Sequence, residues 1–277
     1  LTSEAQGMVD NAKWNLGGSS TYQGLYADDY YTFERGTTVY SGRSTEWTGK
    51  IALMYPSDYM YAGDLSKCSK DGYNWDTDKT NCRDTSWLRN TSDNQWTLTP
   101  SSSDSLGVFS VYSFGRLEND IVSNSYGSRP VLYLKSTVEI TGGEGTSGNP
   151  YTLDVPSVPA TETISNIYTN AEKTTVVNNS VNYEYATSVG MMEDVGGNIR
   201  YYGADPNNYV SFNNELWRII GVFKDIDDGN GNKENRIKIA RNESIGNYQW
   251  DDNENEWSTS TLQTYLNGDY LNSLTSE

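Results

Sequence analysis

Histidine is absent from this chain, and its 277 residues include only two cysteines. Without imidazole there is no Ser-His-Asp or Cys-His catalysis, and the commonest general base and metal ligand are missing. Cations are scarce as well: 20 Lys and Arg stand against 37 Asp and Glu, a net charge of −17. Phosphate backbones and anionic membranes reward clustered Lys and Arg, so no nucleic-acid partner is expected. Nor is direct membrane insertion expected, since no stretch approaches the roughly 18 apolar residues of a spanning helix. No secretory leader opens the sequence, so the targeting segment of an exported form would have been removed or lie elsewhere. Aromatic surface, by contrast, is plentiful. The 22 Tyr, 8 Trp and 5 Phe oppose disorder and supply a full core, for one large or two ordinary domains.

Cys68 and Cys82 enclose 13 residues rich in Lys, Asp, Asn and Thr. That spacing suits a disulfide closing a surface loop, worth about 3 kcal/mol in chain entropy, with two unpaired thiols as the alternative. The Tyr/Asn/Thr/Ser/Gly-rich, acidic composition fits a secreted or surface-displayed protein.

The first four residues, Leu1-Thr2-Ser3-Glu4, recur as Leu274-Thr275-Ser276-Glu277, an offset of 273. Overlaying the two copies places apolar residues at Leu271, Leu274, Ala5, Met8, Val9 and Ala12, spaced 3, 4, 3, 1 and 3 apart. This is one stripe of an amphipathic helix, and it predicts a repeat cut inside a helix at a repeat junction.

Along the chain the second half reads as β-rich. Tyr209-Val210-Ser211-Phe212, a turn at Asn213-Asn214, and residues 215–223 predict a tight hairpin, because Asn tolerates the positive φ it needs. A polar loop is expected over 225–235, then a half-buried strand over 236–241 with apolar and charged residues alternating. Residues 257–266 predict a short helix with a Ser N-cap, ended by Asn267-Gly268. The first half is more loop-rich, with strands expected at 51–55, 96–100, 108–112, 116–122 and 129–134. Between Thr141 and Pro159 four glycines and three prolines predict a domain tail and linker. The expected division is 1–155, a Pro-containing linker at 156–162, and 163–277.

Several blocks resemble a family of poorly characterised bacterial surface domains from Gram-positive lineages. The most specific are Trp217-Arg218-Ile219-Ile220, within Tyr209 to Ile220, and Arg129-Pro130-Val131-Leu132-Tyr133-Leu134. Blocks like residues 53–59, 96–101, 237–239 and 257–266, and a Gly-rich tail like 142–153, complete the likeness over most of the chain. The Arg129-Pro130-Val131 block, after a Trp-Thr-Leu block, also looks like C-type-lectin-like domains of the sulfatase-modifying kind. The resemblance implies an α+β, β-rich, C-type-lectin-like mixed domain with short amphipathic helices and long loops. It is in permuted order: the family's opening half lies in 163–277 and its closing half in 1–155. Each half would then be completed by the next repeat or chain, a head-to-tail contact that generates fibres.

Chemistry is sparse. The loop at Asp225, Asp227 and Asp228 alternates carboxylates and amides around glycine, as Ca²⁺ prefers. Its spacing misses the calcium-loop pattern, however, and a solvated hairpin loop is the favoured reading. Pairs such as Asp28-Asp29 and Asp251-Asp252 read as surface. The copper or redox cysteines of sulfatase-modifying enzymes do not carry over, because Cys68 and Cys82 lie outside any matching block. No enzyme activity, cofactor or catalytic residue is expected. Tyr22, Tyr26, Tyr30, Tyr31, Tyr73 and Trp75 either pack a loop-rich half or present an adhesive surface. The Asn-x-Ser/Thr sequons at Asn90, Asn178 and Asn242 carry little weight in a bacterial protein. The sequence therefore predicts a non-catalytic repeat of an extracellular bacterial surface fibre, its partners identical copies head-to-tail. The alternative is an adhesin or lectin that captures glycan or protein ligands through aromatic loops.

Overall fold

The computed structural model describes residues 1–154 and 159–273. Its longest strand, Glu215–Asp227, runs for 13 residues and organises the molecule. Along one edge it pairs antiparallel with Lys233–Arg241. The other edge is shared end to end, Tyr209–Phe212 lying against residues 215–218 and Ile199–Tyr201 against Gly221 and Val222. From there the sheet extends one way through Met191–Glu193, Val181–Ala186 and Thr174–Asn178, and the other way through Tyr151–Asp154 and Glu139–Gly142. Lys233–Arg241 also pairs with Val131–Tyr133, and that strand with Ile51–Ala52, for 11 strands in all. A 5-stranded sheet runs Asn247–Gln249, Ser125–Gly127, Gln95–Pro100, Gly107–Val111, Leu117–Ile121, and a 2-stranded ribbon joins Ala12–Asn15 to Glu46–Gly49. Among the described residues the longest helix, Ala160–Asn170, has 11 residues. The fold is β-rich α+β, and no described helix is long and apolar enough to cross a membrane.

The large sheet is covered on both sides, which explains its continuous apolar runs. On one face Trp217, Ile219, Val222, Ile237 and Ile239 pack with Ile164 of the Ala160–Asn170 helix and with Ala5 and Met8 of the helix Ser3–Met8. Ile220, Phe223, Val131, Tyr133 and Ala240 belong to a second cluster that holds Trp14, Trp75, Trp96, Trp250 and Trp257. The change of parity from Ile219 to Val222 follows from a register shift between Ile219 and Gly221. Gly221 is required there: a Cβ would lie 2.0 Å from the carbonyl oxygen of Ile199. Asn213 and Asn214 both adopt φ 57°, the conformation of a type I′ hairpin turn.

Four expectations are corrected. The strand continues through Asp227 and resumes at Lys233, so the polar loop is only 228–232. The charged side of Lys233–Arg241 does not face water: Arg236 is 2% exposed and Lys238 0%. A second layer covers that face, and the cations find partners inside it. Asn267-Gly268 does not end the last helix, which runs on as a π-turn over Leu266–Tyr270. The Asn267 side chain instead accepts from the amides of Lys50 and Ile51 (3.2 and 3.0 Å) and donates to Ile51 O (2.8 Å), pinning the helix to a strand end. Finally, no single helix joins Leu271 to Ala12. Thr2 is extended (ψ 159°) and caps Ser3–Met8, its Oγ1 accepting from Ala5 N at 3.2 Å; Val9 is extended in turn and bridges Leu134. Ala12 lies in a strand. Strand pairing for Val9 and Ala12 overrides the helical period, and Leu274 lies outside the described residues.

The Gly- and Pro-rich segment is not a plain linker up to residue 154. Glu139–Gly142 and Tyr151–Asp154 pair antiparallel around it, and Tyr151–Asp154 pairs parallel with Tyr209–Phe212. Residues 155–158 are outside the described residues, and Ala160, at the start of a helix, is buried in the core. Residues before and after this point share sheets: Val131–Tyr133 sits between Lys233–Arg241 and Ile51–Ala52, and Asn247–Gln249 pairs with Ser125–Gly127.

Cys68 and Cys82 form a disulfide, both buried, with Cα atoms 4.7 Å apart. The loop it closes carries Gly72–Thr77, whose Trp75 is fully buried. Replacing both cysteines by alanine is expected to lower the unfolding free energy by about 3 kcal/mol, measured by urea denaturation. An unchanged midpoint would mean that Trp75 packing alone holds the loop.

Candidate functional site

Two places combine unusual chemistry with close construction: the meeting of the chain ends and a charged aromatic cleft. At the first, Leu1 is buried, and its amino nitrogen donates to the carbonyl oxygen of Leu271 at 2.8 Å. The Gln6 amide donates to Leu1 O at 3.1 Å and to Leu271 O at 3.3 Å, bracing both. Asn213, in the hairpin turn, accepts from Thr2 N at 2.6 Å. Burial lowers the pKa of the Leu1 amine, against the opposing charge of Glu215. Leu1, Ala5, Met8 and Val9 share one apolar cluster, with Leu271 packed against it, whereas Ala12 belongs to the other cluster. Most of the proposed junction residues thus converge in space, through a break at Thr2 rather than along one helix.

The second place is built on Asp58. Pro56 opens the helix Pro56–Tyr61, which puts Asp58 at its third position, where the carboxylate accepts from Tyr55 N at 2.9 Å. The same carboxylate receives Arg200 Nη1 at 2.6 Å and Lys238 Nζ at 2.5 Å. Arg200 continues through Nε to Asp194 at 2.7 Å. The side chains of all four are at most 1% exposed, and their charges balance, two carboxylates against two cations. Burial alone would raise the pKa of Asp58, but Lys238 and Arg200 outweigh it and hold the group down at about 2. Both oxygens of Asp58 are engaged by cations, so the arrangement is that of a fixed anchor. Rings flank it: the Arg200 guanidinium lies 4.1 Å from the Phe223 centroid, and Lys238 Nζ 4.4 Å from that of Tyr55.

Beside this network opens a cleft of about 340 Å3, with Tyr31, Tyr55, Tyr133 and Phe223 as walls and Lys13, Arg35, Lys224 and Lys233 among its lining. Arg35 stacks 3.5 Å from the Tyr31 centroid and contacts Glu34 at 3.2 Å. Glu34 is fully buried and accepts from Ser57 N (2.8 Å) and Ser57 Oγ (2.5 Å). Burial lifts its pKa to about 7, despite the opposing charge of Arg35.

The residues singled out by sequence fall as follows. Trp217 and Ile219 are core, while the Arg218 side chain donates through Nε to Asn208 Oδ1 at 2.7 Å and stacks 3.9 Å from the Tyr209 centroid. Arg129 donates to the carbonyls of Arg241 (2.9 Å) and Leu88 (3.0 Å), and burial, then the nearby Arg218 charge, brings its pKa down to about 10. Pro130 accepts from Arg241 N at 3.0 Å. Val131 pairs with Ala240, and Ala240 with Arg218, so the two specific blocks lie in one ladder row on either side of Lys233–Arg241. Asp225, Asp227 and Asp228 are not assembled into a cation site. Asp227 accepts from Gly229 N (2.8 Å) and Asp228 from Asn230 N (2.7 Å), each satisfying the loop's own backbone. Among the described residues no cluster of three potential metal-ligating side chains exists. Tyr30 and Trp75 are core, whereas Tyr31 reaches the cleft. Asn178, in one sequon, is buried and donates to Leu65 O and Cys68 O (2.9 and 2.6 Å).

Sequence reasoning missed the Asp58, Asp194, Arg200 and Lys238 network. The signals present were Pro56 two residues before Asp58, as at a helix start, and Lys238 between Ile237 and Ile239. No protein-family model, curated protein or solved structure matches the chain.

Replacing Asp58 by asparagine should destabilise the fold by about 3–5 kcal/mol, because two buried cations lose a charged partner. Chemical denaturation measures this, and a loss below about 1 kcal/mol, the worth of a surface pair, would contradict it. Glu34 sets a pH dependence of opposite sign to the usual carboxylate. With its pKa raised from 4.5 to about 7, the folded state binds the proton more tightly than the unfolded chain. The stabilising contribution is full below pH 4.5 and disappears as pH rises through about 7. At about 1.4 kcal/mol per pH unit it amounts to roughly 3 kcal/mol. Glu34→Gln should flatten stability across that window, and an unchanged slope would refute the assignment.

Proposed function

We propose that this protein is a non-catalytic structural repeat of an extracellular bacterial surface fibre, one C-type-lectin-like α+β domain per repeat, joined head-to-tail. The observation that carries the reading is the bond from Leu1 N to Leu271 O, at 2.8 Å. Leu274 follows Leu271 by three residues and opens a second copy of the tetrapeptide that Leu1 opens. In a joined array Leu1 would follow Ser273 of the preceding copy, and its peptide N–H would then stand three residues after Leu271, the spacing of an i to i+3 turn bond. A peptide N–H there makes the same bond with no charge to desolvate. The socket is also apolar enough to hold one leucine side chain, worth about 2 kcal/mol on burial.

On this reading the segment before residue 154 of one copy and the segment after 159 of another meet through the same contact. The strand pairings between those segments would then cross from copy to copy. A heterologous contact of this kind propagates unless it closes into a ring. The ladder row shared by the Trp217-Arg218 and Arg129-Pro130-Val131 blocks supports treating the two segments as one domain in permuted order.

Peptide mass spectrometry of native material tests the proposal. Peptides running from Leu271 to Ala12 through a single Leu-Thr-Ser-Glu are expected for a covalent array. If Leu1 and Glu277 are instead true ends, the purified chain should form filaments visible by electron microscopy, and Leu1→Asp should abolish them. True ends together with a monodisperse monomer at micromolar concentration would overturn the fibre.

A further inference from the structure

Arg129 is buried, 6% exposed, and none of the ion pairs among the described residues includes it. The arginines around it are paired: Arg89 with Asp84 at 3.0 Å, Arg218 with Asp205 at 3.3 Å and Arg241 with Glu215 at 2.9 Å. Arg129 donates only to neutral carbonyls, from Nε to Arg241 O and from Nη1 to Leu88 O. Its Nη2 makes no hydrogen bond among the described residues and, unlike Nη2 of Arg200, is not sealed in the interior. That nitrogen therefore opens onto the cavity of about 230 Å3 that Arg129 lines. Carbonyl dipoles offset only part of the cost of burying a cation, and a full offset needs a negative partner. The neighbouring charges Arg218 and Arg241 act against the guanidinium, and only Glu243 favours it. In a chain of net charge −17 this is a local reversal of sign, the electrostatics of an anion receptor.

The lining narrows the class of anion. Asn90, Thr91 and Ser92 come from one loop and Asn242, Glu243 and Ser244 from another. Asn90 Oδ1 accepts from Ser92 N at 2.9 Å, which leaves its Nδ2 as a donor with no partner among the described residues. Asn242 Nδ2 holds Glu243 Oε1 at 2.8 Å, and that exposed carboxylate makes no ion pair with Arg129. Trp87, the one ring in the lining, is 6% exposed and lies under the Arg218 guanidinium at 4.6 Å, so it offers no apolar wall. The volume falls below the roughly 300 Å3 at which ordinary ligand pockets begin, leaving room for a group of a few heavy atoms. One uncompensated cation matches one negative charge, whereas a dianion would set its second charge against Glu243. A carboxylate carries one charge and accepts charge-assisted hydrogen bonds from guanidinium and amide together.

We propose that this cavity binds a single carboxylate group, held by Arg129 Nη2 and the Asn90 amide. The group is that of a small free acid or of an acidic side chain from a second copy, and the chemistry of recognition is the same for both. The cavity uses no residue of the Leu1–Leu271 contact, so its failure would leave the fibre reading untouched.

The folded full chain is titrated with sodium acetate at constant ionic strength, with acetamide and sodium sulfate as controls. Binding is followed through the Arg129 side-chain Nε–H resonance and the backbone amides of Asn90, Ser92 and Asn242. Saturable acetate binding is expected, with these signals moving together. Glu243→Gln alters an exposed side chain and removes the competing charge, so it should tighten acetate binding about fivefold. Asn90→Asp should weaken it by a similar factor, and Arg129→Gln should abolish it. The two loop variants decide the matter if Arg129→Gln does not fold. Shifts that stay linear in acetate would overturn the proposal, as would an equal response to acetamide or tighter binding of sulfate. Unchanged affinity in Glu243→Gln would place the anion elsewhere and overturn it too. With the site upheld, movement of the same signals with protein concentration, acetate absent, assigns the carboxylate to a second copy; constancy assigns it to a free acid.

Discussion

Asp58 is a single carboxylate that accepts from a cation on each of two strands and from the backbone of its own helix start. Its helix, Pro56–Tyr61, belongs to the segment before residue 154; Arg200 and Lys238 belong to the segment after 159. Apolar burial brings these segments together but is non-directional, so many relative placements satisfy it. A buried carboxylate with three donors admits only one placement, because any slip leaves a charge unpaired in a low-dielectric interior. Asp194 completes the charge balance, two carboxylates against two cations, although Arg200 Nη2 is buried with no hydrogen-bond partner among the described residues.

The cleft depends on the same node. Tyr55 is the residue that caps the Asp58 helix, and Lys238 lies 4.4 Å from its ring and 5.6 Å from that of Tyr133. Arg200 rests on Phe223, the next wall. The cations that neutralise Asp58 thus also hold the buried rings around it in place.

The junction and the cleft draw on different apolar clusters, Leu1, Met8 and Trp217 in one and Tyr55, Tyr133 and Phe223 in the other.

Features that depend only on neighbouring residues are legible in the chain. The type I′ turn at Asn213-Asn214, the Gly107–Val111 and Leu117–Ile121 hairpin and the 14-residue disulfide separation all follow from neighbours along the chain. Tertiary structure decided the rest. Whether Arg236 and Lys238 face water or core depends on a layer contributed by distant segments, and alternation alone reads identically in both cases. The apolar period from Leu271 to Ala12 predicts one helix, yet Val9 bridges Leu134 and Ala12 pairs with Gly49, partners that no local pattern announces. Asp58, Arg200 and Lys238 were invisible for the same reason: a charge network is a property of three-dimensional proximity, and its members lie 142 and 180 residues apart.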